Sequence, residues 1–392
     1  MSVKGKKAKN YVTVLLSAVL ILPVLLIQLL PATPAAVLPQ ASDATGDMTV
    51  FIGNKLSANI EVSAKGAVLV EADSGNAVFE KNANKRMPMA STTKIMTALT
   101  VLQSVPITDT VKIPREACGI EGSSVYLREG ESFTVEELLY ALLLASANDA
   151  ATALAIHVCG SVEAFAERMN DIARSLGLRN THFVNPHGLH DSDHYTTAYE
   201  LALITREAAR NDIFRKITST QRTVIRRDSK ESARLLVNHN RLLSSYGGCF
   251  GVKTGFTKTS GRCLVSAAER DGMTFIAVTL DAPDDWNDHR VMLDAAFSQY
   301  RRSTPFPEGS VEYMLPISGS YQSSLLCRNA RSLSVITDKD KTSDVTYKIY
   351  SRRLWLAPIS SDQTVGKVIF MQNGKTIAEC ELRAAYFAAK RK

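Results

Sequence analysis

Cysteine is scarce, with six in 392 residues: Cys118, Cys159, Cys249, Cys263, Cys327 and Cys380. The count is even, but the wide spacing has none of the close intervals of a small disulfide-built scaffold. Several lie in apolar strings, such as Ile156-His157-Val158-Cys159 and Arg262-Cys263-Leu264-Val265, which suits buried free thiols. Only Cys249 and Cys263 are expected to come near one another. Nucleic-acid motifs and Lys/Arg stripes are also missing, so no nucleic-acid partner is expected. The net charge of +7 matches the four N-terminal lysines plus Lys390-Arg391-Lys392. Without those seven residues the body carries no formal net charge, so the mildly cationic character of the chain, a general attraction to anionic lipid or wall polymer and no more, resides at its two ends.

The composition is otherwise that of a globular protein long enough for two domains, with 45% hydrophobic and 7% aromatic residues. The N-terminus departs from it. Lys4, Lys6, Lys7 and Lys9 precede an apolar run from Tyr11 to Leu30, followed by Pro31, Ala32, Pro34, Ala35 and Ala36. That layout predicts residues 1–44 as a secretory signal or, uncleaved, an N-terminal membrane anchor. Basic residues ahead of the run place the remainder outside the cytoplasm.

Ala67–Asp73 and Ala77–Asn82 read as strands around Ser74-Gly75-Asn76. Pro88 leads into a helix start that carries Ser91. Thr134 to Cys159 reads as a strong helical region opened by a capping arrangement at Thr134 and broken at Ser146-Ala147-Asn148-Asp149. Val162–Leu176 and Ala198–Arg210 are amphipathic helices. Phe250–Thr254, Arg262–Ala268 and Phe275–Leu280 are strands, and Asp288–Arg301 is a closing helix. The order predicts an α/β sandwich, an antiparallel sheet flanked by helices, over residues 50–302. Pro305-Phe306-Pro307 reads as a linker to a small all-β domain over 306–386, with a basic tail at 387–392. Within that domain Leu333–Ile336, Val345–Tyr350, Leu354–Ala357, Val368–Met371 and Ile377–Leu382 are the expected strands.

Three short strings carry the chemistry. Ser91 and Lys94 stand three residues apart on a helix start, so their side chains share a face. A serine hydroxyl is a poor nucleophile until a base takes its proton. A lysine can be that base only when burial or a nearby cation lowers its pKa, and Lys253 is the candidate cation. Ser146-Ala147-Asn148 interrupts an apolar helix with polar groups that could shuttle a proton to a leaving nitrogen and hold a peptide backbone. Lys253-Thr254-Gly255 ends an apolar strand, where Lys253 and Thr254 could bind a carboxylate and Gly255 permits close approach. Each string alone is as well explained by ordinary turns and caps; their order and context together point to acyl transfer at a peptide-like carbonyl.

The surrounding strings resemble the serine-type D-alanyl-D-alanine carboxypeptidases, the low-molecular-mass penicillin-binding proteins. The similar stretches are Pro88 to Leu99, Asn185-Pro186-His187-Gly188-Leu189, His194 to Tyr199 and Val252 to Thr257. The likeness covers roughly residues 60–302 strongly and the C-terminal domain more loosely. It implies the fold of the serine β-lactamases and penicillin-binding proteins, with Ser91 acylated by the penultimate D-alanine of a peptidoglycan stem peptide and Lys94 as base. It also implies an oxyanion hole at the N–H groups of Ser91 and Phe256, and carboxylate contacts from Lys253, Thr254 and, less directly, Arg290. β-Lactams would be the inhibitors and the outer surface of the cell membrane the setting, with no cofactor. Asn148 matches the family asparagine, while Ala147 stands where glycine is common. His187, His190 and His194 have zinc-like spacing, but the family string contains similar histidines without a metal, and His239 has no assigned role.

Alternatives remain open at this level. A class A β-lactamase needs a glutamate downstream of the middle string, and Arg174–Leu189 contains none. A DD-endopeptidase or transpeptidase uses the same residues with a different acyl acceptor. A catalytically silent wall-binding module would lack turnover despite penicillin labelling.

Overall fold

The alternation of small and branched apolar residues in Gly66–Glu71 is what builds the centre of the molecule. The computed structural model describes residues 46–225, 233–342 and 344–392. The expected signal or anchor at 1–44 therefore lies outside the described residues. In chain order the first elements are strands β1 (Met48–Phe51), β2 (Gly66–Glu71) and β3 (Ala77–Lys81), followed by helix α1 (Lys94–Ser104). The short strands β4 (Thr110–Lys112) and β5 (Ser132–Thr134) pair with each other before α2 (Val135–Leu144), α3 (Asn148–Cys159) and α4 (Val162–Ser175). Next come α5 (Ala198–Ala208), α6 (Asp212–Ser219), the hairpin strands β6 (Arg222–Ile225) and β7 (Arg234–Val237), and α7 (Leu242–Ser245). Strands β8 (Cys249–Thr257), β9 (Gly261–Arg270) and β10 (Met273–Leu280) lead into α8 (Asp285–Gln299).

The central sheet is antiparallel with strand order β3-β2-β10-β9-β8. Its two faces follow from the period of two along each strand. Val68, Val70, Val265, Ile276 and Val278 pack with the helices α1 to α6 in one core. Ala67, Leu69, Leu264, Phe275 and Ala277 pack on the other face against Met292, Leu293 and Ala296 of α8. The α/β sandwich read from the sequence is thus a three-layer arrangement with the helical mass on one side. Each large apolar side chain removed from water contributes about 1.5–3 kcal/mol, so the sheet is the rigid reference for the site.

The C-terminal part continues without a break. β11 (Tyr300–Phe306) runs through Pro305, so the stretch read as a linker is strand up to Phe306. The remaining strands are β12 (Glu312–Ser318), β13 (Ser324–Asn329), β14 (Leu333–Asp338), β15 (Val345–Ser351), β16 (Trp355–Leu356), β17 (Thr364–Gln372) and β18 (Lys375–Ala384). Six of them form one sheet in the order β15-β17-β18-β13-β12-β16. A second, three-stranded sheet joins β1, β14 and β11, with Met48–Phe51 parallel to Leu333–Ile336. A segment from before the catalytic strings is therefore woven into the C-terminal part. Among the described residues no helix is long and apolar enough to cross a membrane.

Candidate active site

The turn before α1 carries Ser91, the candidate nucleophile. Ala90–Thr93 forms a 3-10 turn that runs straight into α1, placing Ser91 half-buried at the cleft and Lys94 fully buried beneath it. Thr92 and Thr93 tie the turn down by donating to the carbonyls of Met89 at 2.6 Å and Ala90 at 2.8 Å. Lys94 Nζ lies 2.9 Å from Ser91 Oγ, 2.6 Å from Asn148 Oδ1 and 2.7 Å from the carbonyl oxygen of His187. Burial drives the Lys94 pKa well below the ordinary lysine value; the Lys253 charge adds to this and Asp149 opposes it.

The helical region after Thr134 breaks where the sequence predicts. Thr134 and Glu137 form a capping box at the start of α2. Between α2 and α3, Ser146 takes a left-handed backbone with φ 60°, and its buried side chain lines the cleft. Asn148 opens α3 and is nearly buried, bridging Lys94 and the Glu121 carbonyl, to which its Nδ2 donates at 2.5 Å.

The third wall is the end of β8. Gly255 passes so near the nucleophile's turn that a Cβ there would stand 3.0 Å from the Ser91 amide nitrogen and 3.1 Å from that of Thr92. Thr254, Gly255 and Phe256 line the cleft, which has a volume of about 370 Å³. Lys253 does not line it: its ammonium is buried and donates to the Thr254 carbonyl at 3.0 Å. Burial lowers the Lys253 pKa to about 7.

Arg290 departs from expectation. It is exposed on α8 and is absent from the cleft lining, because the neighbouring α8 residues that turn inward are Asp285 and Trp286. Two guanidinium groups line the cleft instead, those of Arg241 and of Arg262, and neither was a candidate in the sequence. Arg262 sits opposite Phe256 in the β8–β9 pairing. Its Nε and Nη2 both donate to Oδ1 of the buried Asp285, at 3.1 and 2.7 Å, and its guanidinium lies 5.9 Å from the Trp286 ring centroid. The Gly255–Gly261 turn was legible, and counting the pairing across it reaches Arg262. Ser123, His239 and Arg241 complete the lining; for Ser123 and Arg241 no local pattern marks the role.

The histidines do not converge on a metal. His194 accepts from the Val184 N–H through Nδ1 at 3.1 Å, which leaves its Nε2 to meet Thr93 Oγ1 at 2.7 Å, and His190 is exposed. Burial holds His194 at about 4 and His187 at about 3, so both rings are neutral at pH 7. Among the described residues no group of three or more His, Cys, Asp or Glu could hold a metal ion. All six cysteines are free. Cys249 and Cys263 do not meet, because they pair with Ala268 and Gly255, well apart along the strands.

A family profile described as Peptidase_S11, D-alanyl-D-alanine carboxypeptidase, matches residues 53–284. The chain belongs to the D-alanyl-D-alanine carboxypeptidase family. Among similar members, D-alanyl-D-alanine carboxypeptidase DacF of Bacillus subtilis is 34% identical over 339 residues, 84% of this chain and 87% of that one. D-alanyl-D-alanine carboxypeptidase DacC of Escherichia coli is 31% identical over 84% of this chain and 86% of its own length. Penicillin-binding protein 5 of Haemophilus influenzae superposes with a TM-score of 0.66 at 26% identity, covering 85% of this chain and 99% of that one. The carboxypeptidase family fold thus accounts for the sandwich and for the β-rich C-terminal part.

Proposed function

We propose that this chain is a serine-type D-Ala-D-Ala carboxypeptidase that removes the terminal D-alanine from peptidoglycan stem pentapeptides. The observation that carries the proposal is the buried Lys94 amine held against Ser91 Oγ at 2.9 Å, where burial shifts its pKa downward in favour of the neutral form a base requires. Neutral Lys94 takes the Ser91 proton while Oγ attacks the carbonyl carbon of the penultimate D-alanine. The N–H groups of Ser91 and Phe256 receive the developing oxyanion. Collapse of the adduct breaks the peptide bond, with the proton passing to the leaving nitrogen by way of Ser146. Water then hydrolyses the Ser91 ester. A β-lactam carbonyl is attacked in the same way, but its leaving nitrogen stays tethered to the acyl group.

Substrate roles follow from the cleft. Asn148 holds Lys94 and the peptide backbone, and Gly255 gives the peptide access to β8. Thr254 and Arg262 receive the terminal carboxylate, and the buried Lys253 acts through its charge. The catalytic unit is assigned to 50–302 and an accessory β-unit to 306–386. The run Tyr11–Leu30 behind four lysines supports export, with the enzyme either released after cleavage or held at the outer surface of the membrane.

The test is release of free D-alanine from diacetyl-Lys-D-Ala-D-Ala, together with mass-spectrometric mapping of a penicillin adduct. The wild type is expected to release D-alanine and to carry the adduct on Ser91; Ser91→Ala loses both and keeps its melting temperature. An adduct on a peptide without Ser91, or no D-alanine release by the wild type, overturns the reading.

A further inference from the structure

The cleft has one wall with no regular secondary structure, the segment Glu121 to Leu127 that contributes Ser123. Its tip is Tyr126, 82% exposed and in a left-handed conformation with φ 57°. Such a segment needs an external anchor, since it has no helix or ladder bonds of its own. Nearly all of that anchor comes from two consecutive residues at the start of α3. Asn148 donates its Nδ2 to the Glu121 carbonyl at 2.5 Å and its backbone N–H to the Ser123 carbonyl at 2.7 Å.

Asp149 holds the other half. Its carboxylate is fully buried, and no ion pair to it exists among the described residues. Its oxygens instead accept from Ser124 Oγ at 2.6 Å, from the Val125 N–H at 3.2 Å and from the Leu127 N–H at 2.9 Å. A further bond, from the Ala150 N–H at 2.9 Å, fixes the carboxylate to its own helix. A buried carboxylate held only by hydrogen bonds is costly to mispair, so the wall cannot shift without exposing that cost. The neighbouring Asn148 meanwhile grips the Lys94 amine at 2.6 Å.

We propose that Asp149 is a positioning residue for the reaction: it locks the Ser123 wall of the cleft to the helix start that also positions Lys94, and it sets part of the electric field at that lysine. The proposal deepens the assignment of Lys94 as base and rests on it. The charged and titratable groups facing Lys94 are Lys253 from β8, Asp149 from α3, and the His187 and His194 rings from the loop over α1. Lys253 favours the neutral amine, Asp149 favours the ammonium, and both imidazoles are uncharged at pH 7.

Two variants test it in the full chain, with the diacetyl-Lys-D-Ala-D-Ala peptide. Asp149→Asn keeps the shape but removes the charge and turns one acceptor into a donor. Its kcat/KM is expected to fall by about 10–100-fold, in the range seen when a site is displaced by about 1 Å. The acid limb of its pH–rate profile is expected to move to lower pH, because Lys94 loses an anion that favours its protonated form. Ser124→Ala removes one anchor and no charge, so it should lose a few-fold in kcat/KM with the acid limb unmoved. A purely structural Asp149 would lower the melting temperature yet leave kcat/KM within about twofold and the limb in place, and that overturns the proposal. If Asp149→Asn fails to fold, Ser124→Ala decides alone: unchanged kcat/KM overturns it. If the wild type itself releases no D-alanine, the enzymatic reading fails instead, which is a distinguishable result.

Discussion

At the scale of single residues, the site depends on two lysines made weak bases for different purposes. Lys94 is depressed by burial first and by Lys253 second, and Lys253 is depressed to about 7 by burial alone. Removing the Lys253 charge as Lys253→Gln raises the Lys94 pKa, so the acid limb of kcat/KM should move to higher pH. An unmoved limb would leave burial as the sole cause. Arg262 and Arg241, not Lys253 or Arg290, present cations to the cleft, and Arg262 is the one on the strand paired with Phe256. Arg262→Gln is therefore expected to raise KM for the free-carboxylate peptide by about tenfold or more, the worth of a charge-assisted hydrogen bond. It should do little to the same peptide amidated at its C-terminus, and Arg290→Gln should change neither. Equal losses on both peptides would remove Arg262 from carboxylate binding. Ser91, Lys94 and Asn148 were legible as a candidate set because the roles proposed for them demand specific residue types at fixed spacing, and the fold brings them together. Arg262 and Arg290 were not distinguishable by type, since only the pairing of β9 with β8 and the rotation of α8 decide which guanidinium meets the cleft.

At the scale of elements, the turn carrying Ser91 is held from the opposite side by the His187-Gly188-Leu189 loop. Gly188 has φ +86°, and a Cβ there would stand 1.9 Å from the Ala90 carbonyl oxygen and 2.8 Å from Thr93 Oγ1. Gly188→Ala must push the loop off the turn and carry the His187 carbonyl away from Lys94. The expected result is penicillin acylation slowed by about tenfold or more in a protein that still unfolds cooperatively, read by acylation kinetics and a melting curve. Acylation at the wild-type rate would show that the loop contact is dispensable. Helices α1 to α5 and α8 and the central strands were readable from periodicity, capping at Thr134 and the turn at Gly75. The strand Met48–Phe51 was not, since four residues pairing with Leu333–Ile336 are specified by long-range contact and not by local pattern. Helix α6 was not read either, although Asn211 caps it locally by accepting from the Ile213 and Phe214 N–H groups, because it begins almost directly after α5 ends.

At the scale of the whole molecule, the buried His289 and His194 and the half-buried His187 are neutral and bond to neighbouring segments or, for His187, within its own loop. His289 of α8 is bonded to Ser266 of β9 at 2.5 Å and to Thr279 of β10 at 3.0 Å, while His187 and His194 pin the loop over the catalytic turn. Burial lowers His289 and His187 to about 3 and His194 to about 4, against 6.5 for a free imidazole. Folded-state values below the unfolded value mean that the unfolded chain binds more protons in that window. The stabilisation is complete above pH 6.5 and is lost as pH falls toward 3. The melting temperature should thus decline progressively from pH 7 to pH 4, and more steeply than shifted carboxylates alone would make it. Glu71, Asp73 and Asp285 work against this decline, because burial raises their folded-state pKa values and the folded chain then binds more protons than the unfolded chain on acidification. His289→Gln, which keeps a hydrogen-bonding side chain but cannot titrate, should flatten the slope between pH 6.5 and pH 4 while starting from a lower melting temperature at pH 7. A variant with the wild-type slope would show that His289 becomes protonated without loss of the fold, and would shift the acid sensitivity onto the two histidines of the catalytic loop.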